Sequence, residues 1–241
     1  MFAFHLDEVD STQNEVQRKF HIFRDCKDAV IVVSADRQIS GKGREGRSWV
    51  SAGECVAVSF AFILPKNNWH AASLGAVLAL AADAVLTEII GEPIDGIKWP
   101  NDLILKGCKI GGVISEIVKF GEVEIVVLGI GINLNVEKKD LPERPVWPAA
   151  SIKDYYPALS TTAQKMREAT VEKFKKDLLV WKTRGFSAFH GNLNSRIVGL
   201  GEENRIGDMV GEICGVNEEG TLLFKTKDGV IHHIVSGEIL K

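Results

Sequence analysis

The run Gly41-Lys42-Gly43-Arg44-Glu45-Gly46-Arg47-Ser48-Trp49 holds the densest chemistry in this chain. Its glycines let the backbone adopt conformations closed to other residues and approach a ligand closely. Lys42, Arg44 and Arg47 offer donors to an anion, and Trp49 a flat face for a ring or for the core behind the loop. Such a loop can cradle a phosphate or a carboxylate, although the same residues would also suit a solvated hairpin tip.

Other stretches add to it. In Lys98-Trp99-Pro100-Asn101-Asp102, Pro100 excludes a central strand position and restricts Trp99 to extended geometry, so a tight turn presents Asn101 and Asp102. Asx capping alone would explain that pair, but a cation and an indole beside it suggest a site. In Lys109-Ile110-Gly111-Gly112 the glycines weaken a strand interior, as where a ligand lies against the backbone. Lys109 would then reach a carboxylate or phosphate; otherwise it is a strand-edge lysine in water. Asn133 closes the run Gly129-Ile130-Gly131-Ile132, where its paired donor and acceptor could read an adenine edge. Near the amino terminus, Thr12 with Glu15 fits a capping box, and the Ser11 and Thr12 hydroxyls could equally bind a small polar ligand at the helix start.

Short elements must position these groups. A helix follows Thr12 and continues through Val16 and Phe20, and Ala29 to Val33 predicts a buried strand that enters the glycine-rich loop through Gln38. Val56 to Ile63 predicts the strand that leaves it. Strand–loop–strand differs from dinucleotide fingerprints, whose glycines open a helix. Leu74, Val77, Leu78, Ala81, Val85 and Ile89 recur at helical spacing, and Gly91 and Pro93 end that helix. Lys106-Gly107 marks a hairpin tip, and Val123 to Leu128 another strand. A Pro-rich loop runs from Leu141 to Pro148. Thr161 with Gln164 is expected to cap a last helix whose buried face is Met166, Thr170, Phe174, Leu178 and Trp181. After Gly185 short β-rich runs separated by turn signals predict a small β-barrel, marginal alone and leaning on the larger domain. The expected domains are 1–190 and 191–241.

Composition sets the class. The chain has 241 residues, 45% apolar and 25% charged, which are ordinary globular values. A net charge of −3 argues against a general nucleic-acid binder. Cys26, Cys55, Cys108 and Cys214 are scattered without metal or disulfide spacing, which suits a reducing compartment and buried packing for each. The start is no signal peptide, and Asp83 and Glu88 interrupt the longest apolar region, so a cytoplasmic protein without a membrane span is expected.

The motifs at this order resemble the catalytic core of biotin protein ligases. That family's Gly-Arg-Gly-Arg-x-Gly-Arg-x-Trp loop is similar to Gly41 to Trp49, and its Lys-Trp-Pro-Asn-Asp turn matches Lys98 to Asp102 without a change. Its lysine-glycine strand resembles Lys109 to Glu116, its Gly-x-Gly-x-Asn resembles Gly129 to Asn133, and its Asp-Ser-Thr start resembles Asp10 to Thr12. The resemblance extends to the terminal β-rich region, and so over nearly the whole chain.

The resemblance implies an α/β (α+β) fold: a catalytic domain with a mixed β-sheet flanked by helices, followed by a C-terminal SH3-like β-barrel. It also implies a reaction in which biotin and MgATP give biotinyl-5′-AMP and pyrophosphate, and the acyl group then passes to a lysine of a biotin carboxyl carrier protein domain. Because Asp-Ser-Thr begins at residue 10, the monofunctional kind without a DNA-binding domain or repressor role is expected. By position, Ser11, Thr12, Gln13 and Gln38 would bind the ureido head, and Gly111 and Gly112 would leave room for the ring and chain. Gly41, Lys42, Gly43 and Arg44 would close over the carboxylate, which Lys109 would contact together with the α-phosphate. Arg44, Arg47, Trp49, Lys98, Asn101, Lys109 and Asn133 fall on the adenylate side. Arg44, Lys109 and Asp102 are the catalytic candidates. Asp102 would orient or deprotonate the acceptor lysine, with magnesium binding as its competing role. Lys42 stands where the family has arginine, a point charge in place of a planar fork, and Glu45 is expected to face solvent. The loop is expected to be mobile without ligand and to order over the intermediate.

Two rival readings remain open: a lipoate or octanoate ligase of the same fold, and a non-catalytic sensor of biotinyl-AMP. A peptide-binding module fails for want of aromatics after Arg196, where only Phe224 occurs. A homodimer through an exposed strand is possible on sequence grounds, without a residue that requires it.

Overall fold

Strand β1 (Phe2–Val9) leads through helices α1 (Thr12–Arg18) and α2 (Ile22–Asp25) into β2 (Val30–Gln38). The structure, a computed structural model, describes residues 1–66, 71–143 and 146–240. The β-branched run expected as a strand is the centre of β2, with Ile31, Val32 and Val33 buried. The glycine-rich stretch then forms a ladder of β3 (Gly41–Lys42) with β4 (Ser48–Trp49), closed by a 3-10 turn at Arg44–Gly46, before β5 (Glu54–Ile63). The unit is therefore strand–loop–strand, as its sequence requires.

The next elements are α3 (Leu74–Ile90), β6 (Gly96–Lys98), β7 (Asp102–Leu105), β8 (Cys108–Phe120) and β9 (Val123–Asn135). The sheet order is β1-β2-β5-β9-β8-β7-β6, with β1 parallel to β2 and every other pair antiparallel. Strands β5 and β9 lie at its centre, buried on both faces, which is why they read as continuous apolar runs. On one face Val16, Phe20 and Phe23 pack on Ile31, Val33, Ala61, Ile125 and Val127. On the other lie α3 and helix α4 (Ala163–Arg184), which pack on each other and on the sheet.

Helix α3 is apolar nearly all round because sheet and helix cover it on both sides. Together with the 3-10 turn before it, over Ala71–Ile90, it is long and apolar enough to cross a membrane by composition, and most of it is buried in this core. Gly91, at φ 86°, ends it in the left-handed conformation, donating its N–H to Thr87 O. Asp83 is buried on α3, and Arg196 neutralises it through two hydrogen bonds of 2.7 and 2.8 Å.

Three expectations are corrected here. Ser11, not Thr12, caps α1 by accepting from Gln13 N, while the Glu15 carboxylate turns away to Arg18 and Lys19. Thr162, not Thr161, caps α4 by accepting from Lys165 N, although the face from Met166 to Trp181 is buried as expected. Nor is α4 the last helix. Helix α5 (Ser187–Arg196) follows, and the boundary expected after residue 190 falls inside it. Its glycine and two asparagines disfavour a helix, and only Phe189 and Leu193 are buried, so it leaves little periodic signal.

The terminal strands β10 (Glu203–Ile206), β11 (Met209–Val216), β12 (Leu222–Thr226), β13 (Ile231–Ile234) and β14 (Ile239–Leu240) form an antiparallel sheet in the order β13-β12-β11-β10-β14. Among the described residues no hydrogen-bonded ladder joins β13 to β14, so the barrel is not closed. Its buried residues, Ile206, Ile213, Val216, Leu222, Phe224 and Ile239, are continuous with Trp181, Phe186 and Phe189. The small unit thus leans on the larger one. Of the cysteines, Cys55 is buried, and burial pushes its thiol pKa up; Cys214 is exposed, so the packing role expected of every cysteine fails there. Residues 144 and 145 of the Pro-rich loop lie outside the described residues.

Candidate active site

The start of α1, the glycine-rich loop, the turn before β7 and the middles of β8 and β9 converge on one cavity of about 830 Å³, counting its open mouth. One end is neutral. Gln38 Oε1 accepts from Thr12 N at 2.8 Å and from Thr12 Oγ1 at 3.0 Å, and Ser59 Oγ donates to Thr12 Oγ1 at 2.8 Å. Beside them Gln13 is 3% exposed, and neither its amide nitrogen nor its oxygen has a hydrogen-bond partner among the described residues. A buried polar group left unmatched costs about 1–3 kcal/mol, so a paired donor and acceptor held this way point to a ligand.

The glycines of β9 explain how Gln13 fits. A Cβ on Gly129 would lie 3.0 Å from Gln13 Oε1 and 2.9 Å from Ile114 Cγ2. Gly131 does the same for the loop: a Cβ there would meet Trp49 Cε2 at 2.4 Å, so the indole rests on bare backbone. Trp49 is thereby fixed beside the cavity instead of behind the loop, and its ring N–H is buried without a partner.

The other end is cationic. Lys42, Arg44, Arg47, Lys98 and Lys109 line the wall, against Glu45, Asp102 and Glu238. Lys109 Nζ stands 2.5 Å from Asp102 Oδ1, and Lys98 Nζ stands 3.5 Å from Asp102 Oδ2. Arg44 donates to Asn101 Oδ1 at 3.1 Å, so the loop already leans across the mouth, and Asn101 in turn donates to Val113 O. Arg47 contacts Glu45 at 3.5 Å and Glu238 at 3.7 Å. Glu45 is mostly exposed, as expected, in left-handed backbone at φ 56°.

Asp10 anchors both margins of the neutral end. Its carboxylate accepts from Asn14 and twice from Arg18, and its carbonyl accepts from Ser40 N at 2.8 Å, where the loop begins. The Arg18 guanidinium, then Asn14, hold the Asp10 carboxyl well below the usual carboxylate range.

Most expected site residues meet here: Thr12, Gln13, Gln38, Lys42, Gly43, Arg44, Arg47, Trp49, Lys98, Asn101, Asp102, Lys109 and Gly112. Ser11 is fully buried as the helix cap, and Gly41 faces the Trp49 carbonyl across the loop ladder. Gly111 faces away, toward Gly131 O and Leu103, while Gly112 alone lies beside Lys109 and Asp102. Asn133 donates to Ala150 O and borders a smaller cavity with Trp49, Lys109 and Ala149.

Ser59, Gly129, Gly131 and Glu238 were not anticipated as lining. The Gly-x-Gly spacing was the available signal for two of them; Glu238 carried none. Asp102 does not fit a dedicated magnesium ligand, since each oxygen already faces a lysine amine. Among the described residues, the one group of three potential metal ligands is His5, Asp7 and Asp36, on β1 and β2, with Asp36 held by Arg167.

The chain that carries this cavity is similar to known proteins in sequence and in fold. Residues 6–133 match the family described as the biotin/lipoate A/B protein ligase family. The chain belongs to that family. Within it, the bifunctional ligase/repressor BirA of Bacillus subtilis is 31% identical over 211 residues, covering 83% of this chain and 62% of that protein. The chain therefore spans less than two thirds of that relative's length. The biotin–[acetyl-CoA-carboxylase] ligase of Mycobacterium tuberculosis is 25% identical over 202 residues, 80% of this chain and 72% of that one. The biotin protein ligase from Aquifex aeolicus, solved in complex with biotin and ATP, is 30% identical with a TM-score of 0.77, over 99% of this chain and 97% of that chain.

Proposed function

We propose that this protein is an ATP-dependent biotin protein ligase. Biotin and ATP would give biotinyl-5′-AMP and pyrophosphate, and a carrier-domain lysine would then displace AMP to form an amide. The observation that carries this reading is the Gln13 amide, buried with both polar atoms unmatched at the neutral end of the cavity. It calls for a head group with an adjacent donor and acceptor, which a ureido ring has. The dithiolane of lipoate and the alkyl end of octanoate offer no such pair.

At the other end both reactants are anionic, so the first task is neutralising charge as the carboxylate oxygen attacks the α-phosphorus and pyrophosphate leaves. Lys109 would contact carboxylate and α-phosphate, and Arg44 and Arg47 would grip phosphate oxygens, a reading supported by all three lining the same cavity. Trp49 supplies a face for the nucleotide base, and Asn133 borders the adjoining space. Magnesium would arrive with ATP and offset phosphate charge, without a dedicated site on Asp102. Once the adenylate draws Lys109 to itself, the freed Asp102 oxygen is positioned to accept a proton from the incoming lysine ammonium, and the resulting amine attacks the acyl carbon. Its acceptor would be the carrier domain of a biotin-dependent carboxylase, in the cytoplasm.

The test is pyrophosphate exchange into ATP with biotin, lipoate or octanoate as the acid. Biotin alone should support exchange. Exchange with lipoate or octanoate but not biotin would overturn the reading of Gln13.

A further inference from the structure

Lys98 presents a problem that the rest of the site does not solve. Its side chain is 4% exposed, so its charge has left water almost completely. A buried ammonium needs a partner, or its burial is strongly unfavourable. The carboxylates near it are shared: Asp102 lies 3.5 Å away but closer to Lys109, and Glu238 lies 3.7 Å away and also contacts Arg47. The Trp147 ring is different. Lys98 Nζ sits 5.9 Å from its centroid.

The backbone is arranged to put Trp147 there. Trp147 is 6% exposed yet adopts left-handed backbone at φ 58°, which a large side chain rarely does. Immediately after it the chain pairs with β8, where Lys109 N donates to Pro148 O at 2.8 Å and Ala150 N donates to Lys109 O at 3.0 Å. One short segment therefore seats the backbone of Lys109 and the ammonium of Lys98. An aromatic face has an advantage over a carboxylate in this place. It holds a cation through its quadrupole without adding a negative charge that would repel a polyphosphate.

We propose that Trp147 is a positioning residue that holds the Lys98 ammonium for the phosphates of the nucleotide. The proposal rests on the reading of the cationic end as an ATP site. Trp147 does not line the cavity, so it acts through Lys98.

The experiment is isothermal titration of the intact protein with ATP, using tryptophan analogues with increasing numbers of fluorines introduced at position 147 alone. Fluorination drains the π-face while keeping the ring's shape, so folding is preserved. The Kd for ATP should rise stepwise, by about tenfold across the series, and the Kd for biotin should not move. In a Lys98→Met background the series should be flat. An ATP Kd that ignores fluorination, or one that rises equally in the Lys98→Met background, overturns the proposal. Trp147→Leu should reproduce the loss and Trp147→Phe largely rescue it. If both only lower Tm and leave the ATP Kd unchanged, Trp147 is a packing residue and the proposal falls. A protein that binds ATP with this dependence yet forms no biotinyl adenylate would refute the function proposed above and leave this role of Trp147 standing.

Discussion

Lys109 Nζ lies 2.5 Å from Asp102 Oδ1, and the pair sits closely over Gly112, which has no side chain to crowd it. A Cβ on Gly112 would stand 3.1 Å from the Asp102 oxygen and 3.3 Å from the Lys109 amine. Asp102 and Gly112 face each other across the ladder of β7 and β8, so the lysine reaches its partner over bare backbone. Under the proposed reaction, an adenylate that took Lys109 from this pair would free an Asp102 oxygen to accept a proton.

The two members should fail at different steps. Lys109→Met removes charge from the developing transition state and should slow adenylation by about a hundredfold or more. Asp102→Asn should leave adenylation within about tenfold but slow transfer from preformed adenylate by about a hundredfold. Separate single-turnover measurements of each half-reaction check this. Equal losses in both half-reactions for both variants would remove the division of labour.

Gln13→Leu should exchange function for stability. Removing an unmatched buried amide should raise unfolding free energy by about 1 kcal/mol, while the ureido contacts are lost. Denaturant unfolding and a biotin titration of the same protein read both sides. A variant that keeps wild-type biotin affinity would show that Gln13 does not bind the head group.

Arg44 bridges the lid to Asn101 across the cavity mouth. Arg44→Gly removes a charge-assisted bond of about 1.5–3 kcal/mol, so the adenylate should escape at least about tenfold faster. The dissociation rate of biotinyl-AMP is the measurement. An unchanged rate would remove the lid role from Arg44.

Acid sensitivity should trace in part to Asp10. Its carboxyl is held below its unfolded value, chiefly by Arg18, so the folded state gains from the ionised form. That gain is complete above the unfolded pKa of about 4 and is lost as pH falls from there toward the folded value. Asp10→Asn should therefore flatten the fall in Tm below about pH 4 and change little of the slope between pH 6 and 7. An unaltered slope below pH 4 would contradict this.

How much of this was legible in the sequence depends on range. The Lys106-Gly107 tip, the end of α3 at Gly91 and the turn before Asp102 are local events, and they occur where their residues require. Lys98, Asp102 and Lys109 lie on strands adjacent in sequence and in the sheet, so local order brought them together. What escaped was set by distant packing. A register shift between Leu103 and Ile104, against Lys109 and Gly111, decides which glycine faces the cavity, and alternation alone cannot show it. Ser59 lines the neutral end from inside an apolar strand, and Glu238 arrives from the loop just before β14 to reach Lys98 and Arg47. Neither contact follows from a motif. Trp147 carries no signal in the sequence beyond its place in a Pro-rich loop.

The central claim is that biotin becomes an adenylate here and then an amide on a lysine. The most direct test is mass spectrometry of a biotin carboxyl carrier domain incubated with this protein, MgATP and each candidate acid in turn. One biotin should appear on one lysine of the domain, only with ATP present, with biotinyl-AMP detectable before transfer. A carrier that acquires lipoate or octanoate while biotin leaves it unmodified would contradict the account.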